Sequence, residues 1–86
     1  MIPFRFTNHA LSEMARRGIY RDVAEAVASR PEQIVEGDRG RKVYQSRVPD
    51  AAGRIDLIRL VVDEHETPMV VITAYRTSKI NKYWRP

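Results

Sequence analysis

The stretch that decides the fold is residues 54–76, which read RIDLIRLVVDEHETPMVVITAYR. Aliphatic residues dominate two blocks, 54–63 and 69–76, and a charged turn at residues 64–67 separates them. The two blocks predict strands joined by a short connection, which favours antiparallel pairing. Ile58, Leu60 and Val62 share one face of the first block, and Leu57 and Val61 share the other. Both faces of the sheet are therefore partly apolar and need a cover.

Residues upstream of this stretch complete the predicted fold. Two shorter segments, 32–36 and 42–48, follow the strand period around a turn at residues 37–40, whereas residues 7–17 and 20–29 carry apolar side chains at helical spacing. We therefore predict the α+β class, with two N-terminal helices packed on one face of a four-stranded antiparallel sheet. In residues 77–86, Ile80, Tyr83 and Trp84 have helix-like spacing, which predicts that this tail folds back onto the body. The sheet face that the helices leave open is then covered by the tail, a partner or a ligand.

Composition narrows the class of protein. A chain of 86 residues makes one domain, residues 1–86, and the absence of cysteine excludes disulfides and thiolate metal sites, which fits a cytoplasmic location. The first six residues do not resemble a secretory signal, and no apolar run is long enough to cross a membrane. There is no glycine-rich phosphate loop and no zinc-ligand spacing, so we expect no metal and no cofactor.

Twelve of the fifteen cationic residues are arginine, and the net charge is +4. This balance favours a polyanionic partner: RNA, DNA or an acidic protein.

Two motifs carry a resemblance to a known family. Residues 9–19, HALSEMARRGI, resemble the HAxxRMxxRGI opening of the domain of unknown function (DUF) 4258 family, and residues 70–76, VVITAYR, resemble its final strand. The family is usually placed near RelE/ParE-type toxins. The resemblance therefore implies a RelE-like arrangement of two helices against an antiparallel sheet, RNA cleavage and an acidic antitoxin as partner. Glu13 departs from the motif, which has arginine there.

Four residues are candidates for metal-free RNA cleavage, which needs an acid or base and a cation beside the phosphate. His9 is the candidate acid or base, Arg17 and Arg59 are candidate phosphate ligands, and Tyr75 can stack on a base or donate its O–H. Structural roles stay open for each of them. His9 can pack or cap, Arg17 can pair with Glu13, and tyrosine favours strands in any case. Arg59 can bond to a carbonyl or extend its charged end to the edge of the sheet.

Further candidates for RNA binding are cations and polar or aromatic residues, most of them around the last strand and the tail: Lys42, Tyr44, Thr73, Arg76, Lys79, Lys82, Tyr83 and Arg85. Two functions remain open. The first is a toxin-type endoribonuclease that cleaves RNA through attack by the 2′-hydroxyl. The second is a non-catalytic module that binds RNA or protein, with an acidic antitoxin or a second copy of the chain as protein partner.

Overall fold

The computed structural model describes residues 4–86. Residues 1–3, the start of the six-residue segment in which we predicted no secretory signal, lie outside the described residues. The order of elements follows the chain from a short strand to a final helical turn. The elements are β1 (Phe4–Phe6), α1 (Asn8–Arg17), α2 (Arg21–Ser29), β2 (Gln33–Glu36), a 3₁₀ turn (Asp38–Gly40), β3 (Lys42–Pro49), β4 (Ile55–Asp63), β5 (Met69–Thr77) and α3 (Ile80–Tyr83).

The sheet has five strands in the order β1-β5-β4-β3-β2, and β1 lies parallel to β5 while the other pairs are antiparallel. The prediction of a four-stranded antiparallel, RelE-like sheet with both helices ahead of it is therefore wrong. Helices α1 and α2 lie between β1 and β2 in the chain. The missed strand has only three residues, too few for a period-two pattern to be recognised. Its pairing is long-range, with Phe6 opposite Val71.

Thr7 and Gly18 fix α1 at its two ends. The Thr7 hydroxyl accepts a hydrogen bond from the Ala10 N–H (3.0 Å) and donates one to the Ile72 carbonyl (2.9 Å), so the cap of α1 is also tied to β5. Gly18 has a left-handed backbone (φ 68°), and the Ile19 N–H returns to the Met14 carbonyl (2.8 Å). These contacts set the position of the helices over the sheet.

The core lies between the helices and what we call the helix face of the sheet, formed by Tyr44, Ile58, Leu60, Val62 and Ala74. The buried helix residues that pack there are small or flexible: Ala10, Met14, Ala24, Val27 and Ala28. Small side chains allow helix and sheet to approach closely. Most of the apolar surface that stabilises the chain is buried in this layer.

The opposite side is the tail face, which includes Val43, Gln45, Leu57, Arg59 and Tyr75. Residues 79–86, which we call the strap, cross it. The Tyr83 carbonyl accepts a hydrogen bond from Gln45 (3.2 Å), and the Tyr83 ring centre lies 4.1 Å from the Arg59 Cζ. The prediction that the tail folds back onto the body is confirmed.

Replacing Leu60 by alanine should remove most of the stability of the fold. Leu60 is wholly buried, and such truncations cost about 2–5 kcal/mol, against a free energy of unfolding on the order of 5 kcal/mol for a chain of this size. Ile55→Ala is the matched control, because Ile55 lies on the same strand but is 49% exposed. Chemical denaturation should give a much lower midpoint for Leu60→Ala than for Ile55→Ala. Equal midpoints would contradict the placement of the core.

Candidate functional site

Arg59 is the centre of the candidate site. It lies on the central strand β4 and is only 8% exposed. Its Nε donates to the Gln45 Oε1 (2.8 Å), and its Nη1 donates to the Tyr75 hydroxyl. Among residues 4–86, no carboxylate pairs with this guanidinium. The tail face therefore holds a buried positive charge that only neutral groups solvate.

The partners of Arg59 form one row across four strands. Gln33 lies opposite Gln45, Gln45 opposite Arg59, and Arg59 opposite Tyr75. We call these four residues the polar row. Gln45, which is wholly buried, links it, because its Nε2 donates to the Gln33 Oε1 (2.8 Å) while its Oε1 accepts from Arg59. The row fixes the guanidinium in one orientation.

A groove of about 560 Å³ opens beside Arg59, between β4 and the turn that joins β2 to β3. Arg39 and Arg41 of that turn line it together with Arg59, and the rings of Tyr75 and Tyr83 form part of its wall. Neither turn arginine has a side-chain hydrogen bond or ion pair within residues 4–86. Arg39 has a left-handed backbone (φ 58°), which is uncommon for a residue other than glycine.

Two carboxylates, those of Glu36 and Asp38, also line the groove. Glu36 pairs with Lys42, which neutralises it. The pKa of Lys42 is raised mainly by that hydrogen bond. Three arginines against two carboxylates, one of them already paired, leave the groove positive. An anion is therefore the ligand that this arrangement favours.

The structure brings together some of the predicted site residues. Arg59, Tyr75 and Tyr83 meet at the groove, and Thr73 lies on the tail face opposite Val61. His9 does not join them: it is exposed on α1, in the helix layer on the other side of the sheet. The predicted catalytic residues His9 and Arg59 are thus separated by the sheet.

Two other candidates, Arg17 and Arg76, have structural partners on the helix side. Arg17 pairs with Glu13 (3.1 Å). Arg76 pairs with Asp56 (3.2 Å) and donates to the Gly18 carbonyl (3.1 Å), so it ties the end of α1 to the sheet.

Tyr44 lies in the core, with its hydroxyl donating to the Glu64 carboxylate. Burial first, and then this bond, raise the pKa of Tyr44 to about 12. The hydroxyl therefore stays protonated and ties the turn between β4 and β5 to the sheet. Lys79, Lys82 and Arg85 are exposed on the strap, available to a large ligand.

Sequence reasoning missed Gln33, Gln45, Arg39 and Arg41. A signal for Gln45 was present, because it is a polar residue in step with Val43 on an apolar strand. Its register with Arg59 follows only from the folded sheet. For the turn arginines, no pattern in the sequence indicated that they would line a groove.

The family model described as "Domain of unknown function (DUF4258)" matches residues 6–76. The chain belongs to the DUF4258 family. The match contains α1, the polar row and the turn arginines, and it ends at Arg76, before the strap. No curated protein and no solved structure matches the chain. Nothing in these comparisons connects this DUF4258 chain with RelE- or ParE-type toxins.

None of the helices within residues 4–86 is both long and apolar enough to cross a membrane. Nor do these residues contain a group of three or more histidine, aspartate and glutamate side chains that could hold a metal ion.

Glu13, where the DUF4258 motif has arginine, should stabilise the chain in a pH-dependent way. Its hydrogen bond from Arg16, assisted by Arg17, lowers the pKa of Glu13 from 4.5 to about 2. A lowered pKa in the folded state means that the stabilisation is present above about 4.5 and is lost as the pH falls toward about 2.

Glu13→Gln should therefore unfold at a lower denaturant concentration than the native chain at pH 7, and the difference should shrink as the pH falls through this window. Asp22→Asn, an exposed acidic residue of α2 outside any ion pair within residues 4–86, is the control. A difference that does not change with pH would show that the ion pairs of Glu13 do not stabilise the fold.

Proposed function

We propose that this DUF4258 chain binds RNA at the groove beside Arg59. One observation carries the proposal. A buried guanidinium with no carboxylate partner within residues 4–86 lies at a groove that two more arginines and two tyrosine rings line. A buried charge with only neutral partners has the most to gain from an anionic ligand.

The chemistry of the groove matches a phosphodiester with its attached base. Arg59 is held by its Nε and Nη1 contacts, and arginine binds phosphate through its planar fork. Arg39 and Arg41 can neutralise neighbouring phosphates. The ring of Tyr75, which meets the Tyr83 ring nearly edge to face with centres 6.4 Å apart, offers a surface for a base.

Single-stranded RNA suits this site better than a duplex does. Stacking on a tyrosine ring needs a base that has left its pair, and loops and single strands supply such bases. The exposed cations of the strap, Lys79, Lys82 and Arg85, add charge for a longer strand.

Arg59→Gln should weaken binding of a single-stranded RNA oligonucleotide about tenfold at moderate salt, because it removes a phosphate contact worth about 1–3 kcal/mol. The slope of log affinity against log salt should also fall by roughly 0.7, the value for one phosphate on a single strand. Fluorescence anisotropy over a salt series measures both quantities.

Arg30→Gln is the matched control. It removes the same charge from an exposed position directly after α2 that is not among the residues lining the groove. Thermal melting should show both variants folded. If Arg30→Gln weakens binding as much as Arg59→Gln, binding depends on net charge alone and the groove is not the site.

A second candidate function, metal-independent RNA cleavage, is favoured by the carboxylates of Glu36 and Asp38 in the same groove. A carboxylate can take the proton of the 2′-hydroxyl, which attacks the phosphorus. Arg59 stabilises the charge that develops on the phosphate, and the Tyr75 O–H protonates the departing 5′-oxygen. The products are a 2′,3′-cyclic phosphate and a 5′-hydroxyl. His9 has no part in this scheme, because it lies across the sheet.

Incubation with RNA in excess chelator tests cleavage. If cleavage occurs here, Tyr75→Phe should slow it by about 10²–10⁴-fold, the usual contribution of a positioned acid, while His9→Ala should cleave at the native rate. Loss of cleavage in His9→Ala with an unaffected Tyr75→Phe would place the chemistry on the helix side. Binding without any cyclic-phosphate product would leave RNA binding alone as the function.

A further inference from the structure

The strap places two consecutive aromatic rings over two arginines of the tail face. The Tyr83 ring centre lies 4.1 Å from the Arg59 Cζ, and the Trp84 ring centre lies 4.2 Å from the Arg47 Cζ. Arg47 lies opposite Leu57 and Arg59 opposite Gln45, so the two arginines are diagonal neighbours, roughly 7 Å apart. That spacing suits two rings splayed apart rather than stacked on each other.

The main chain of the strap is held by two glutamine side chains. The Gln33 amide donates to the Arg85 carbonyl (2.6 Å) and accepts from the Arg85 N–H (3.1 Å), while Gln45 donates to the Tyr83 carbonyl. These bonds recognise a donor and an acceptor side by side and do not depend on the side chain of Arg85. The edge of a nucleic-acid base presents the same pairs of donors and acceptors.

The strap itself is held weakly. None of its residues is fully buried. Within residues 4–86, its polar and aromatic contacts with the sheet include hydrogen bonds with Gln33 and Gln45, two cation–π contacts and the edge-to-face contact between the Tyr83 and Tyr75 rings. Elements held by contacts of this kind open at low free-energy cost. The DUF4258 match covers residues 6–76 and does not include the strap.

We propose that the strap occupies a binding site for two consecutive unpaired bases of single-stranded RNA. Arg59 and Arg47 each stack one base, and the amides of Gln33 and Gln45 bond to the base edges, after the strap has left. The ring of Tyr83 and the ring of Trp84 take the places of the two bases when RNA is absent. This inference rests on the proposed function and names the part of the RNA that the tail face binds.

Arg47 is suited to stacking because the edge of its guanidinium is already held by a carboxylate. Its guanidinium pairs with the Glu32 carboxylate (3.0 Å), which leaves the flat face to a ring. Arg59 is held by Gln45 and Tyr75 in the same way. Both stacking surfaces are therefore preformed, and the only rearrangement that binding needs is departure of the strap.

The double variant Tyr83→Ala, Trp84→Ala removes both rings and tests the proposal. If the strap competes with RNA, the variant should bind a six-nucleotide oligouridine about tenfold more tightly than the native chain does, because the competent state becomes more populated. Binding of a blunt RNA duplex should not increase, because its bases are paired. Asn81→Ala, an exposed change on the same strap, is the control and should leave both affinities unchanged.

Trp84 provides a readout in the native chain, since it is the single tryptophan. Adding the oligouridine should shift its emission to longer wavelength as the ring leaves Arg47 and enters water. Duplex RNA should not cause this shift. The measurement needs no variant, so it decides the proposal even if the double variant fails to fold.

The outcomes separate this inference from the proposed function. If the native chain binds RNA through Arg59 but the double variant gains nothing and Trp84 emission does not shift, the two-base site is wrong and the groove stands. If Trp84 emission shifts and the double variant gains affinity while Arg59→Gln binds RNA as tightly as the native chain, Arg59 stacks no base and the two-base site is wrong. If no form binds RNA, both are wrong.

Discussion

The register that places Arg59 opposite Gln45 and Tyr75 is the constraint on which the tail face depends. A slip of one residue would turn the guanidinium into the apolar core and Leu60 outward. In the observed register, the polar row offers the charge two neutral oxygen acceptors and a stacked ring. Hydrogen bonds to a charged group contribute about 1.5–3 kcal/mol each, enough to keep the cation in place without neutralising it.

The two faces of the sheet consequently differ in how their arginines are paired. The helix face is filled mainly by apolar side chains, and Arg76 on that side is neutralised by Asp56 and bonds to the end of α1. On the tail face, Arg59 pairs with no carboxylate of residues 4–86. Two arginines on neighbouring strands thus differ in their partners rather than in residue type. The partner, not the sequence position, separates the structural Arg76 from Arg59, the arginine that we propose binds the ligand.

This difference explains how far the sequence could predict the molecule. Period-two and helical spacing are local, so they located both helices and four strands, whereas β1 has three residues and pairs only through the fold. Arg59 was predicted because a charge between Leu57 and Val61 must find a partner. Gln45, Arg39 and Arg41 were missed since only the pairing of β2, β3 and β4 brings them to Arg59. The separation of His9 from Arg59 follows from which face α1 covers, and spacing does not contain that information.

The same uncompensated charge links the strap to the proposed ligand. Without an anion, the ring of Tyr83 stabilises the charge of Arg59 through a cation–π contact worth about 0.5–2 kcal/mol. A phosphate offers the guanidinium a full charge and a bidentate geometry, which is a stronger interaction in a site sheltered from water. In the proposed complex, exchanging the ring for a phosphate and a base would be favourable at Arg59, and that difference would supply the free energy to open the strap. A carboxylate beside Arg59 would have neutralised the guanidinium and removed this difference.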